Sequence, residues 1–435
     1  MKKIFTLLGI LVCAHFAFAQ QLTKVGGGIS GLYINDLELF NGKLYAGGYF
    51  TPRGVAQEHV YSFNGNQWQT LKGGIGGPAF PFISSFAVFN NKLYMTGAID
   101  KAGSFNTQDI AIWDGNDWSD PSGGINNAKA MFAFNNELYV GTTSIEETPA
   151  NKTLFWKWSG NSWQNIADGF GLAANPNFEI QGIKTMTVYK GKLIVAGLFE
   201  TINGDTVNNI ALWDGGKWGK LGTGIAGYVD ALEVWNDELY VGGNFDSAGG
   251  KPTNFLAKWD GSNWTSINGG LDQRVEALQV YNGSLWVGGQ FFNPNRGILK
   301  YDGQNFTIPF VPDNGVNSFL VDNNSLIIAG NFQKIDGIQY SLIARYTEKT
   351  ASVTKLTKGT VELYPNPANN DLHITLAGSG NATITIFDDI GRKVIEVQAN
   401  STLTIEIPII NLTEGNYFIT VLQENSYTSG RFIKQ

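Results

Sequence analysis

The chain has 435 residues, a formal net charge of −7 and one cysteine, Cys13. It holds no Lys/Arg cluster able to neutralise a phosphate backbone, which excludes nucleic acid as a partner, and no 18-residue apolar run beyond the N-terminus, which excludes a transmembrane helix. Charged residues at 15%, 54 glycines and 13% aromatics suit an all-β chain with many tight turns.

The N-terminus has a basic pair, Lys2 and Lys3, then an apolar stretch from Ile4 to Val12, then Ala17-Phe18-Ala19. That order reads as a secretory signal over 1–19, cut between Ala19 and Gln20. A lipoprotein signal at Cys13 fits poorly, because Val12 stands where a small residue is expected. Loss of Lys2 and Lys3 takes the charge from −7 to −9, and loss of Cys13 leaves no thiol. Disulfides, a thiolate nucleophile and Cys-ligated zinc are then excluded.

From about residue 20 to 350 the chain repeats itself. A segment of the Leu-Tyr-Val-Gly-Gly type starts at Leu44, Leu93, Leu138, Leu193, Leu239, Leu285 and Leu326, at intervals of 41 to 55 residues. Each is preceded by a turn pair such as Asn41-Gly42, Asn236-Asp237 or Asn282-Gly283, and Asn and Gly accept the positive φ of a two-residue hairpin. A second signature, aromatic-x-Gly-x-x-Trp, recurs as Phe63-Asn64-Gly65…Trp68, Trp113-Asp114-Gly115…Trp118, Trp158-Ser159-Gly160…Trp163, Trp213-Asp214-Gly215…Trp218 and Trp259-Asp260-Gly261…Trp264, with Phe306 replacing the Trp in a sixth copy. The fifth unit shows the plan: strands over Val229–Trp235, Glu238–Phe245, Phe255–Trp259 and Trp264–Ile267. Four antiparallel strands joined this way make one blade of a β-propeller. The seventh unit lacks its fourth strand, whereas Val25-Gly26-Gly27-Gly28-Ile29 matches the tail Leu71-Lys72-Gly73-Gly74-Ile75. The spacing therefore predicts seven blades, with the N-terminal strand completing the last and removing the open edges of a linear stack. Trp at one register in every unit reads as inter-blade packing, because ligand residues break repeat symmetry.

The tight turns share one face. Longer loops, between strands two and three and between blades, lie on the other and are the better place for a ligand. Two inter-blade connections there are long and aromatic, one holding Phe80 and Phe82, the other running from Gly169 to Glu179 with Phe170 and Phe178. These four rings are candidates for stacking on sugars or clamping a peptide. No catalytic or metal constellation stands out and no cofactor is implied. His59 is the one propeller histidine and reads as a surface or hydrogen-bonded residue. Arg53, Arg274, Arg296 and Arg345 are too scattered to predict a cluster around a substrate carboxylate, and no Asp-x-Asp-x-Asp-Gly calcium loop occurs.

The repeat stops near Thr350. A polar stretch, 351–360, reads as a linker, and seven short alternating runs over 361–435 predict a small Ig-like β-sandwich. Within them lie Tyr364-Pro365-Asn366-Pro367, Leu372-His373-Ile374, Asp389-Ile390-Gly391-Arg392, Leu412-Thr413-Glu414-Gly415-Asn416-Tyr417 and Lys434. This ordered set resembles the type A C-terminal sorting domain of the type IX secretion system of Bacteroidetes. The resemblance implies passage through the periplasm and across the outer membrane by the type IX machinery. In that family the domain is often removed, and the cargo is released or attached to surface lipopolysaccharide. By the same match Gly391, Arg392, Gly415, Tyr417 and Lys434 are the sorting positions. The propeller resembles, more loosely, Gly- and Trp-rich repeat propellers of Bacteroidetes type that accompany such domains. The expected function is a secreted or surface-held binding module for a glycan or a protein. The alternatives are a polysaccharide-acting hydrolase or lyase and a purely structural or adhesive surface protein.

Overall fold

Seven two-residue turns set the repeat. Their first residues, Asn41, Asn90, Asn135, Lys190, Asn236, Asn282 and Asn323, all have φ between 47° and 53°. The computed structural model describes residues 20–50, 59–77, 81–119, 123–143, 152–171, 181–291, 297–348, 357–375, 381–399, 404–423 and 426–435. All regular structure among them is β. Contacts divide them into two units that meet between Glu348 and Lys349.

The first unit contains seven main sheets, each built on four antiparallel strands, with a small three-stranded and a small two-stranded sheet beside them. Their innermost strands, in order, are Tyr33–Phe40, Phe82–Phe89, Ala128–Phe134, Gly182–Tyr189, Ile225–Trp235, Val275–Tyr281 and Val316–Asp322. In the fifth sheet the remaining strands are Glu238–Ala248, Leu256–Trp259 and Trp264–Ser266. The inner hairpin is thus longer than its periodicity predicts, because Ile225 pairs with Ala248 beyond an irregularity that breaks the alternation. In the seventh sheet the outer strand is Gln20–Lys24, in register from Gln20 opposite Glu348 to Lys24 opposite Ala344. That sheet also touches the first: Asn317 Nδ2 donates to Ile34 O at 3.0 Å, and Ile34 and Leu37 share a core with Ile327 and Ala329.

The second hairpin turn is an Asx turn. Asp114 Oδ1 accepts from the backbone N–H of Asn116 and Asp117, each at 2.8 Å, and Asp214, Asp260 and Asp302 do the same. The glycine after each sits at φ 99° to 109°, which a side chain disfavours. The Trp closing the motif reaches back to the preceding sheet. Trp68, Trp118 and Trp264 donate their indole N–H to Val25 O, Lys72 O and Leu221 O at 2.9, 2.7 and 2.8 Å. Trp264 is 3% exposed and belongs to a core shared by the fourth and fifth sheets. In these three sheets the recurrent Trp is therefore an inter-sheet clasp.

The loops between strands two and three are more regular than expected. Four form small hairpins or hairpin tips around Gly103, Gly204, Gly249-Gly250 and Gly337. They bond to the connection that precedes their own sheet, as where Gly103 N donates to Gly74 O and Gly249 N to Gly224 O, both 2.9 Å. His59, Asp109 and Asn209 occupy one equivalent position at the base of these loops. Each accepts from the backbone N–H of the residue that leaves strand two, Phe50, Ile99 or Phe199 respectively. His59 is fully buried, and burial pushes it down to about 4, so its neutral ring serves as a backbone acceptor.

The second unit has a five-stranded sheet, Thr357–Thr360, Ser426–Lys434, Gly415–Gln423, Ala382–Phe387 and Lys393–Ala399, and a three-stranded one, Glu362–Tyr364, Asp371–Thr375 and Thr404–Pro408. Alternating Leu372, Ile374, Ile384, Ile386, Ile419 and Val421 fill the space between them. The stretch 351–360 is not linker throughout. Thr357–Thr360 pairs in parallel with Ser426–Ser429 and covers what would be an open edge.

The clasp is testable within one motif position, because Trp218 Nε1 has no partner whereas Trp264 Nε1 does. Trp264→Phe should lower stability by about 1 kcal/mol more than Trp218→Phe, the size of one buried hydrogen bond; urea unfolding of the two variants measures the difference.

Candidate functional site

A glycine late in strand two marks the site. In six sheets it is Gly48, Gly97, Gly197, Gly243, Gly289 or Gly330, the second of a Gly-Gly pair in the first, fifth and sixth; in the third sheet Thr142 takes the position. A Cβ at any of these would lie 2.0–2.3 Å from a carbonyl oxygen of the inner strand, a distance no side chain tolerates. That close approach is the signature of a β-bulge. The inner strands of all seven sheets carry one, at Ile34/Asp36, Ile83/Ser85, Ala128/Ala130, Ile183/Thr185, Val229/Ala231, Val275/Ala277 and Val316/Ser318. The residue skipped at each bulge is Asn35, Ser84, Lys129, Lys184, Asp230, Glu276 or Asn317. Every one is polar, in strands otherwise rich in buried apolar residues.

These bulges line a cavity of about 440 Å³ to which all seven inner strands contribute, Asn35, Ser84, Lys184, Asp230, Glu276 and Asn317 among its walls. Part of the ring ties sheets together: Asn35 Nδ2 donates to Ile83 O at 2.7 Å and Asn317 Nδ2 to Ile34 O at 3.0 Å. Another part is neutralised in place. Arg274 holds Asp230 with two bonds, Nε to Oδ2 at 2.7 Å and Nη2 to Oδ1 at 2.6 Å, and its guanidinium lies 4.9 Å from the Tyr228 ring centre.

The remaining charges are incompletely matched. Glu276 Oε1 accepts from Gln290 Nε2 at 2.9 Å and lies 4.0 Å from Arg274 Nε, while Oε2 is buried without a partner. Burial pushes Glu276 up to about 7 against the pull of Arg274. Asp36, next to the first bulge, accepts from Phe86 N at 2.8 Å and Leu37 N at 2.9 Å; burial still raises it to about 7. Lys129 Nζ donates to Ser84 Oγ at 3.3 Å and lies 5.3 Å from the Phe82 ring centre. Burial, with Lys184 nearby, lowers Lys129 to about 7. Lys184 lines the cavity and takes part in no ion pair within 4.0 Å among the described residues.

Of the rim residues singled out in the sequence, Phe80 and Phe178 lie outside the described residues. Phe82 is half-buried at the start of an inner strand, under Lys129. Phe170 is corrected by the structure: strand Trp163–Gly171 runs through it, and it is fully buried, 4.8 Å from the Phe199 ring and 5.4 Å from Trp218. It packs a core and offers nothing to a ligand. Arg53 and Arg296 also fall outside the described residues, Arg345 pairs with Asp322 at 2.8 Å, and Arg274 belongs to the cavity. Ala19 is not described, and Gln20 opens the first strand.

The residues expected as sorting positions, dispersed over 44 residues, are gathered by register. Phe387 faces Phe418, and Gly415 faces Lys434, so the turn at Gly391-Arg392 and the Gly415–Lys434 pair share one end of the five-stranded sheet. Gly391 has φ 82° and Arg392 Nε donates to Asp388 Oδ2 at 2.7 Å. Tyr417 is buried, stacks on Phe432 at 5.5 Å and donates its hydroxyl to Thr413 O at 2.8 Å. Lys434 Nζ contacts Gln435 O.

Residues 362–435 match the family described as secretion system C-terminal sorting domain. This domain marks the chain for export by type IX secretion to the cell surface or extracellular space. Residues 191–212 match a domain of unknown function (DUF5122) described as a β-propeller. No curated protein matches the chain. Three similar solved structures are the β-propeller domain of the Trilobed protease from Pyrococcus furiosus (11% identity, 73% of this chain and 94% of that one, TM-score 0.40), Saccharomyces cerevisiae Sqt1 (9%, 95% and 97%, 0.34) and an α-L-arabinofuranosidase from Clostridium thermocellum (13%, 60% and 94%, 0.26). The first unit is a β-propeller.

Two outcomes check this site. Gly243→Ala places a Cβ 2.0 Å from Tyr228 O and should cost about 1–3 kcal/mol, the range for overpacking, read as a fall in melting temperature. Glu233, on the inner strand of the fifth sheet, is raised by burial to about 7. A raised carboxyl makes the unfolded chain lose its proton first, so the penalty on folding grows from about pH 4.5 upward and is complete above 7. Glu233→Gln should therefore raise the melting temperature at pH 8 and leave it unchanged at pH 4.

Proposed function

We propose that the seven sheets are the blades of a closed seven-bladed propeller, with Gln20–Lys24 as its closing strand, and that the exported protein is a binding module. Its ligand, a glycan or a protein segment, enters from the face of the inter-blade loops and reaches the axial cavity. The observation that carries this reading is a cavity walled by all seven inner strands in which Glu276 Oε2 lacks a partner. A structural core has no use for such groups, because each buried unpaired polar atom costs stability. A ligand with matching donors and acceptors would recover that cost. The C-terminal domain supports delivery, with Gly391, Arg392, Gly415, Tyr417 and Lys434 as the positions read by the type IX machinery, followed by release or attachment to surface lipopolysaccharide.

A second reading, a secreted enzyme acting on polysaccharide, has one specific observation in its favour. Asp36 and Glu276 line the same cavity and are both raised to about 7, the range in which a carboxyl serves as a general acid.

Glycan and peptide arrays probed with the wild-type chain and with Glu276→Gln test the main reading. Binding that weakens at least tenfold in the variant supports it, whereas binding unaffected by the substitution overturns the axial site, and turnover of a bound polysaccharide lost in Glu276→Gln would favour the second reading. For delivery, a chain ending at Glu348 should accumulate in the periplasm of a type IX-competent host, as fractionation would show; its appearance in the medium would sink that assignment.

A further inference from the structure

The charges of the axial ring are sorted by side. In sheet order the bulge residues run Asn35, Ser84, Lys129, Lys184, Asp230, Glu276, Asn317. Asp230 is committed to Arg274. What remains is Lys184 on the fourth sheet, with Lys129 of the third bonded to Ser84 on the wall, and three acidic side chains, Glu276 on the sixth and Asp36 and Glu38 on the first. If seven blades surround an axis, the edge between the third and fourth lies opposite the seventh, which the sixth and first flank. The cationic and anionic poles then face each other across the cavity.

The two poles form no ion pair with one another, although the Lys184 charge is felt at both Asp36 and Glu276. Neither lysine makes an ion pair within 4.0 Å among the described residues. Lys129 has a 3.3 Å bond to Ser84 Oγ and the face of Phe82, and Glu276 Oε2 has no hydrogen-bond partner among the described residues. Charges that are desolvated and left apart are costly, and the cost falls when a partner with opposite charge fills the gap. A neutral sugar would satisfy hydrogen bonds at both poles but neither charge. An anion would suit the lysines and repel the carboxylates. A cation would do the reverse.

We propose, resting on the axial binding site above, that the cavity takes a zwitterionic ligand of the amino-acid and short-peptide class, its carboxylate at Lys129 and Lys184 and its ammonium at Glu276 and Asp36. The neutral positions Asn35, Ser84 and Asn317 complete the ring and leave the main chain of such a ligand in a polar but uncharged surrounding. Tyr228, within the fifth inner strand, and Phe82, at the start of the second, place aromatic faces beside Arg274 and Lys129.

Calorimetric titration of the full chain with glycine and with di-, tri- and tetraglycine tests the inference, because these probes carry two charged termini and no side chain. One length should bind best. At that length the N-acetylated and the C-amidated peptides should each bind at least tenfold more weakly. Lys184→Met should abolish the difference between the free and amidated peptides, and Glu276→Gln the difference between the free and acetylated ones. Lys129→Met gives a second cationic-pole variant should Lys184→Met unfold, with the melting temperature as the control. If none of the four free probes binds, or if both blocked forms bind as well as the free peptide, the zwitterion assignment is overturned. In that event, array binding that still depends on Glu276 leaves the axial site standing with a different ligand class. Array binding indifferent to Glu276 overturns both.

Discussion

The architecture depends on how closely the second strand of each sheet approaches the first. At the glycine opposite the bulge, present in six of the sheets, no Cβ fits, the inner strand gains one unpaired residue, and its side chain is released toward the shared cavity. The bulge, repeated in every sheet, therefore does two things. It bends the inner strand so that neighbouring sheets can pack, and it places a polar group where seven inner strands converge. The preceding position serves the packing half where it too is glycine: a Cβ on Gly47, Gly141 or Gly242 would lie 2.4–2.5 Å from Ile83, Ile183 or Val275 of the next sheet.

Burial stabilises the rest. Each sheet contributes one face of apolar residues to a core shared with its neighbour, as where Tyr189, Ile194 and Leu221 meet Val229, Leu239 and Trp264. The indole N–H of Trp264 adds a directional bond to that non-directional attraction, fixing how far one sheet turns relative to the next. Surface ion pairs such as Lys72–Asp117, whose side chains are 71% and 58% exposed, add little to this. The polar axis is then a cost carried by a large apolar periphery, which is the arrangement expected where function sets residue choice.

The C-terminal unit follows a different logic. Its strands alternate strictly, with Leu372, Ile374, Ile384, Ile386, Ile419 and Val421 inward, so its pattern alone specifies two layers. What the fold adds is the gathering of the residues proposed as sorting positions. The Asp388–Arg392 pair shapes the Gly391 turn, and the register of Gly415 against Lys434 brings a distant segment beside it.

The sequence alone determined the repeat, the hairpin turns, the structural work of the Trp positions and the C-terminal sorting domain, since each depends on residues within a few positions of one another, where φ preferences and periodicity act directly. It also marked most of the cavity residues, had the glycine late in strand two been read as the partner of a bulge. It misassigned Phe170, because whether an aromatic near a loop faces solvent or a neighbouring sheet is a matter of packing. Only the tertiary structure decided which single residue of each inner strand escapes pairing, that Lys184, Glu276 and Asp36 share one cavity, and that Lys129 bonds to Ser84 on its wall. Those groups lie on separate repeats, and a one-residue change of register would turn each of them to the other face of its sheet.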